Sequence, residues 1–315
     1  MRRVTTQLLT LAAIAATAAS LAACGTKASA SNSGSSGAAT AAGGSAGCPG
    51  GVVRFGVEPF EDAAKLLPVF LPLTKQLGDK LGCKVELSIP TSYNAEIEAM
   101  RAGKLDIGEF GPLGYVLAHQ VAKADAIATY AGADGGPLTY TASIITPAST
   151  GLTDLSQCAG KSFAYSDPSS TSGHLFPAYA LKSHGIDPDN GVQAKYAGSH
   201  TASYEAERNA KVTCGELNSE QIAAAKAAGE WKDGQLKTLW QSDPIPEDPF
   251  AVRGDLPAAF KTRLTGALLS LDFSQLSPDA QKLLLGTKLA AFDDAKYDGI
   301  RALVKTLNID LTKVG

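Results

Sequence analysis

Ser166-Asp167-Pro168-Ser169-Ser170-Thr171-Ser172-Gly173 places four successive hydroxyls where an extended run, Lys161 to Tyr165, gives way to a helical pattern from about Thr171 to Ser183. A helix start carries unpaired N–H groups and the positive end of the macrodipole, a setting that favours a small oxyanion. Ser and Thr hydroxyls add neutral donors to it. Capping the helix requires one hydroxyl; four in a row are more than a cap needs, and the pattern is open to plain capping and to anion binding alike. Asp167, His200 and a serine also supply the residue types of a hydrolytic triad, but no nucleophile elbow surrounds these serines and no segment marks an oxyanion hole, so binding without turnover is expected. Gly43-Gly44-Ser45-Ala46-Gly47 spells an elbow inside low-complexity sequence, without the strand and helix that motif needs.

The elements that must position this loop alternate between strand and helix. Val52–Val57 reads as a buried strand, followed by a helix on Ala63, Leu66, Leu67, Phe70, Leu73 and Leu77, with Pro68 and Pro72 marking a kink or a late start. Lys84–Ile89 is the next strand; a helix through Tyr93, Ile97 and Met100, the short strand Leu105–Gly108 and a helix bearing Tyr115 follow. A second set begins after the strand Thr139–Thr146: Lys161–Tyr165, the hydroxyl loop and its helix, a strand at Val192–Tyr196, a helix after Ser199-His200, the strand Lys211–Leu217 and a helix from Ser219. Such alternation predicts parallel α/β sheets. Extended crossings near Ile144 and Leu239 predict two lobes joined by a hinge, lobe 1 from residues 50–143 and 242–315 and lobe 2 from 144–241.

The N-terminus carries export signals. Arg2 and Arg3 precede a short apolar core, Leu8 to Leu21, which ends in Leu21-Ala22-Ala23-Cys24. The run is shorter than the ~20 residues of a spanning helix. Leu-Ala-Ala-Cys resembles a bacterial lipobox, so residues 1–23 are expected to leave and Cys24 to carry the lipid that anchors the chain to the cell membrane on its extracytoplasmic side. Residues 24–49, nearly all Gly, Ala, Ser and Thr, form a tether that cannot bury a core. Removing residues 1–23 takes away two Arg and no acid, so the formal charge moves from −3 to −5. No basic run points to nucleic acid. Cys48, Cys83, Cys158 and Cys214 form an even set in an exported chain, giving two disulfides and three possible pairings. If Val52–Val57 and Lys84–Ile89 are parallel neighbours, Cys48 and Cys83 share a sheet end, which favours Cys48–Cys83 and Cys158–Cys214. No CxxC spacing supports zinc, and no metal or cofactor is expected.

From about Val53 to the C-terminal helices the chain resembles the periplasmic phosphate/phosphite/phosphonate-binding components of ABC importers. The resemblance rests on Tyr93, Asp106-Ile107 with Phe110-Gly111-Pro112 and Tyr115, Asp134-Gly135 with Tyr140, Asp167-Pro168-x-Ser170-Thr171-Ser172-Gly173 with Pro177, Gly198-Ser199-His200, and Pro244-Ile245-Pro246 with Pro249, in that order. It implies a two-lobed periplasmic-binding-protein fold of the Venus-flytrap type II, α/β, with two hinge-crossing strands. It further implies a monomer that captures a small phosphorus oxyanion and hands it to an ABC permease. Carried over by residue, Ser170, Thr171 and Ser172 would hold phosphonyl oxygens, His200 would donate from the facing side, and Tyr93 and Tyr115 would line the cleft. The chain departs from the family at Val212-Thr213, where members often carry Val-Asp, and instead offers Glu216 nearby. Glu109 precedes Phe110-Gly111-Pro112, and Glu58 follows the first strand, where loops face the cleft. Three carboxylates would oppose a simple dianion. A zwitterion such as 2-aminoethylphosphonate reconciles them, its ammonium meeting Glu58, Glu109 or Glu216. A sulfonate or a thiamine precursor is the alternative solute, because related clamps share the architecture.

Overall fold

The computed structural model describes residues 47–284 and 286–312; the expected leader 1–23, the expected lipidation site Cys24 and the expected tether up to residue 46 lie outside them. Strand β1 (Val52–Val57), helix α1 (Ala63–Leu81), β2 (Lys84–Ser88), α2 (Tyr93–Arg101), β3 (Ile107–Glu109), α3 (Pro112–Ala122) and β4 (Asp125–Ala131) come first. The chain then passes through β5 (Thr139–Tyr140) into β6 (Ala142–Pro147), β7 (Ser162–Tyr165), a π-helical turn Thr171–Leu175 running into α4 (Phe176–Ser183), β8 (Gln193–Tyr196), α5 (His200–Arg208), β9 (Cys214–Asn218), α6 (Ser219–Ala227) and β10 (Leu236–Gln241). It returns through β11 (Ile245–Pro246) to β12 (Pro249–Val252), α7 (Ala258–Leu269), α8 (Pro278–Leu283), β13 (Lys288–Ala291) and α9 (Asp298–Leu307).

Two sheets result, ordered β13-β4-β12-β3-β1-β2 and β10-β6-β9-β7-β8. Each is parallel where strand and helix alternate: β2 and β3 flank β1, and β8 and β9 flank β7. Each is also mixed, which the alternation did not predict. β12 runs antiparallel to β3 and β4, and β6 runs antiparallel to β9 and β10, because these strands enter their sheet from the other one. The two passages pair as a ribbon of their own, Tyr140 opposite Ile245. Ile144 and Leu239 lie beyond them, inside β6 and β10 of the second sheet.

In α1 the residues Leu66, Phe70, Leu73 and Leu77 are fully buried against the first sheet, as their spacing demands. Burying each such side chain contributes about 1.5–3 kcal/mol. Pro68 and Pro72 sit inside this unbroken helix, on its exposed face, where water can satisfy the carbonyls that the missing N–H groups leave free. Gly82 closes the helix in the left-handed region at φ 62°, its N–H donating to the Gly78 carbonyl. Val52 opposite Lys84 in β1 and β2 brings Cys48 to Cys83, and these are bonded; Cys158 is bonded to Cys214 at the start of β9. The C-terminal helix α9 packs on both α3 and α4, so elements adjoining either sheet share one apolar cluster containing Leu117, Leu175 and Ile300.

Candidate binding site

β7 ends at Tyr165, and the chain turns at once: Asp167 Oδ1 accepts from Ser169 N (2.8 Å) and its carbonyl from Ser170 N (3.0 Å). Ser170 then caps the following helix, its Oγ accepting from Gly173 N at 3.1 Å. The next two hydroxyls are engaged in the same sense. Thr171 Oγ1 accepts from Leu113 N at 2.8 Å, across from α3, and Ser172 Oγ accepts from Asn218 Nδ2 at 3.4 Å. With a lone pair of each oxygen occupied by an N–H donor, each hydroxyl proton is left to donate, beside the orphan amides of the helix start. All three residues are buried and line one cavity of about 60 Å³.

His200, the first residue of α5, faces this donor set, its Nε2 at 3.3 Å from Ser170 Oγ. Its Nδ1 lies 3.0 and 3.1 Å from the two oxygens of Glu216, which is fully buried on β9. Burial alone would lower the imidazole pKa, but the charge and hydrogen bond of Glu216 outweigh it, and the net direction is upward. The pairing favours the charged form of the ring, and Nε2 is turned to the hydroxyls. Glu216 does not line the cavity. Its carboxylate is consumed by His200, so the expectation that it meets a ligand ammonium is corrected to that of a residue that charges and orients the imidazole.

The opposite wall is acidic. Glu58, just past β1, and Glu109, at the end of β3, are buried in the cavity lining with half-buried Glu220 and Asp248. Glu109 Oε1 accepts weakly from Tyr130 Oη (3.4 Å), while Glu109 Oε2, Glu58 Oε2 and Tyr93 Oη have no partner among the described residues. Burial pushes the Glu109 carboxyl up to about 8, with the Tyr130 bond opposing and Glu247 adding to the rise. Glu58 is raised by burial and then by the charges of Asp248 and Glu109; Asp248 by burial, then Glu109 and Glu247; Glu220 by burial, then Glu247 and Asp248. Among the described residues the lining contains one Lys or Arg, Lys282, which is exposed and paired with Asp279 at 3.1 Å. Tyr93 and Tyr140 complete this wall.

Tyr115 is not part of it. Its hydroxyl donates to Asp294 at 3.0 Å, and its ring packs on Phe292 and Tyr297, because that face of α3 turns toward the C-terminal segment. Glu220 and Asp248 were absent from the expected set. Glu220 reads as an ordinary first-turn acid after the Asn218 cap, and Asp248 as part of a Pro-rich connection; neither carried a local signal. Around the cavity the loops and helices of the two sheets are tied together: Ser169 Oγ donates to Asn94 Oδ1, Thr201 Oγ1 to Glu61 Oε2 (2.5 Å), and His200 N to the Phe60 carbonyl (3.4 Å).

Residues 55–299 match the model of the family described as ABC transporter, phosphonate, periplasmic substrate-binding protein. The chain is 29% identical over 263 residues, 77% of its length and 82% of the relative's, to the phosphate-import protein PhnD of Mycolicibacterium smegmatis. It is also 29% identical over 217 residues, 67% of its length and 64% of the relative's, to the phosphonates-binding periplasmic protein of Escherichia coli. Among solved structures, a binding protein component of an ABC phosphonate transporter from Pseudomonas aeruginosa superposes with a TM-score of 0.72 at 26% identity, covering 82% of this chain and 86% of that one. PhnD1 of Prochlorococcus marinus, solved in complex with methylphosphonate, gives 0.72 at 21% identity, covering 82% and 98%.

Proposed function

This chain belongs to the family of periplasmic phosphonate substrate-binding proteins of ABC transporters, and from that premise we propose that it captures an aminoalkylphosphonate, with 2-aminoethylphosphonate as the simplest case. One observation carries the reading: one small cavity presents hydroxyls and an imidazole on one side and, on the other, buried and half-buried carboxyls that pair with no Lys or Arg among the described residues. The phosphonate sits on Ser170, Thr171, Ser172 and His200, and the ammonium sits among Glu58, Glu109, Glu220 and Asp248. A phosphate or methylphosphonate ion fills the first half alone and leaves the acids to be kept neutral by protonation. The ammonium lets them ionise, and breaking a buried charge pair of this kind costs about 2–5 kcal/mol. That loss corresponds to a ~30-fold or greater preference for the amine.

No bond is made or broken. The protein, a monomer anchored through Cys24 on the extracytoplasmic side, closes its two lobes (residues 50–143 with 242–315, and 144–241) on the ligand and delivers it to a membrane permease. Calorimetric titration with 2-aminoethylphosphonate, ethylphosphonate, phosphate and an alkanesulfonate tests the reading. The amine-bearing ligand should bind tightest by at least about thirtyfold. Equal affinity for ethylphosphonate would leave the oxyanion site standing and remove the amine site; a preference for the sulfonate would overturn the ligand class.

A further inference from the structure

The two halves of the cavity are built from one unit used twice. In the first, Ser92 caps α2 by accepting from Ala95 N (3.1 Å) and Tyr93 is the first helical residue; in the second, Ser199 caps α5 by accepting from Ala202 N (3.2 Å) and His200 is the first. Both helices have nine residues. Both are closed by the same contact, Lys104 N to the Ala99 carbonyl and Lys211 N to the Ala206 carbonyl, each 2.8 Å, with Gly103 (φ 70°) and Ala210 (φ 52°) in the left-handed region. Each then enters a strand that lies between a parallel neighbour and an antiparallel one, β3 between β1 and β12, β9 between β7 and β6. Gly108-Glu109 and Gly215-Glu216 occupy the same place in the two strands. Tyr93 thus corresponds to His200, and Glu109 to Glu216.

The copies differ at one chemically decisive point. In the second, the imidazole takes the glutamate with Nδ1 at 3.0 Å and presents Nε2 to the hydroxyls. In the first, tyrosine offers no base for a proton and no positive charge, and Glu109 Oε2 has no partner among the described residues at the cavity wall. We propose that the first residue of the repeated helix, Tyr93 in one lobe and His200 in the other, is the specificity determinant that sets the sign of charge each half of the cavity accepts. Histidine there neutralises the strand glutamate and makes an anion half; tyrosine leaves the glutamate free and makes a cation half. Tyr93→Phe would leave the sign unchanged. By the repeat, Tyr93→His should pair with Glu109 as His200 pairs with Glu216 and turn the ammonium half into a second anion half, whose ligands are phosphonocarboxylates.

The amine arm of this inference rests on the proposed aminoalkylphosphonate ligand, so the experiment separates the two. The purified wild-type protein, Tyr93→His and Tyr93→Phe are titrated with 2-aminoethylphosphonate, ethylphosphonate and 3-phosphonopropionate. In the wild type, failure to prefer the amine over ethylphosphonate sinks the ligand reading. Given that preference, Tyr93→His should bind the amine about tenfold more weakly and the phosphonocarboxylate about tenfold more tightly than the wild type. Tyr93→Phe should keep the wild-type order. An unchanged ligand order in Tyr93→His, or the same reversal in Tyr93→Phe, overturns the proposal. NMR of the introduced imidazole gives a second reading: it should titrate above an ordinary histidine, and a value at or below that of an ordinary histidine refutes the pairing with Glu109. Should Tyr93→His fail to fold, the reverse exchange decides. His200→Tyr should lose ethylphosphonate, and adding Glu216→Gln should recover part of the loss because the exposed charge is gone; no recovery overturns the proposal.

Discussion

Removing the charge of one wall residue should change how the empty protein responds to pH. Glu109 is buried and its carboxyl stands at about 8 against the ordinary 4.5. The folded state therefore holds a proton that the unfolded state has already released between those two values. Stability from such a group is complete below about 4.5 and is lost as the pH rises toward 8. The slope is about 1.4 kcal/mol per pH unit while the difference is one proton, giving roughly 5 kcal/mol across the whole window. Glu58, Glu220 and Asp248 are raised too and steepen the fall. The acids with lowered values, Asp154, Asp187, Asp272 and Asp294, act below this window. His174 and His200 shift in opposite directions near neutrality and are common to parent and variant. Glu109→Gln keeps the shape and an acceptor for Tyr130 without the proton. Urea unfolding at intervals from pH 5 to pH 9 should show the parent losing stability upward toward pH 8 and the variant losing about 1.4 kcal/mol less per pH unit below that point. Parallel curves for the two proteins, or a parent as stable at pH 8 as at pH 5, would refute the assignment of Glu109 as a buried, protonated acid.

The same linkage acts on binding. Between pH 7 and 9 the affinity for 2-aminoethylphosphonate should rise as Glu109 ionises, and calorimetry in buffers of different ionisation enthalpy should register proton release on binding. Ser170→Ala with Thr171→Ala removes two neutral donors and should weaken every phosphonate tested by about 2–3 kcal/mol, at about 1–1.5 kcal/mol for each hydrogen bond, measured by titration. Asn94→Ala and Thr201→Val cut ties that close the cavity without touching its contents; both should lower affinity for amine and non-amine ligands by the same factor, chiefly through faster release in stopped-flow traces. Replacing Cys158 and Cys214 by Ala opens a loop of sequence separation 56, and the unfolded-state entropy it restrains is about 4 kcal/mol, readable as a fall in denaturation midpoint.

Much of the site was legible because its chemistry is local in sequence. The run Ser169 to Ser172 places its hydroxyls at one helix start whatever the rest of the chain does, and strand–helix alternation located that start at a sheet edge. Glu58 was legible because a carboxylate directly after a parallel strand faces the cleft, and Glu109 because it stands beside Phe110-Gly111-Pro112 of the family resemblance. Tyr115 was misplaced because a helix has several faces, and only the tertiary fold shows that this one meets Phe292 and Asp294. Glu216 was found, but its role was not, since a glutamate beside an imidazole differs from a free one only through a contact with His200 from another element. One signal was present and passed over: Ser92-Tyr93 stands at the same distance from Gly108-Glu109 as Ser199-His200 does from Gly215-Glu216. That repeat pairs the two glutamates and shows which has a histidine to neutralise it. Glu220 and Asp248 have no such signal, because their meeting depends on the closure of one sheet's loops over the other's.

In the proposed complex one cavity grips a phosphonate by its hydroxyl side and an ammonium by its acidic side. A crystal structure of the protein with 2-aminoethylphosphonate tests it most directly. Phosphonate oxygens should lie within hydrogen-bond distance of Ser170, Thr171, Ser172 and His200 Nε2, with the nitrogen within reach of at least two of Glu58, Glu109, Glu220 and Asp248. A nitrogen turned to solvent, or a phosphonate lodged against the acids, would contradict it.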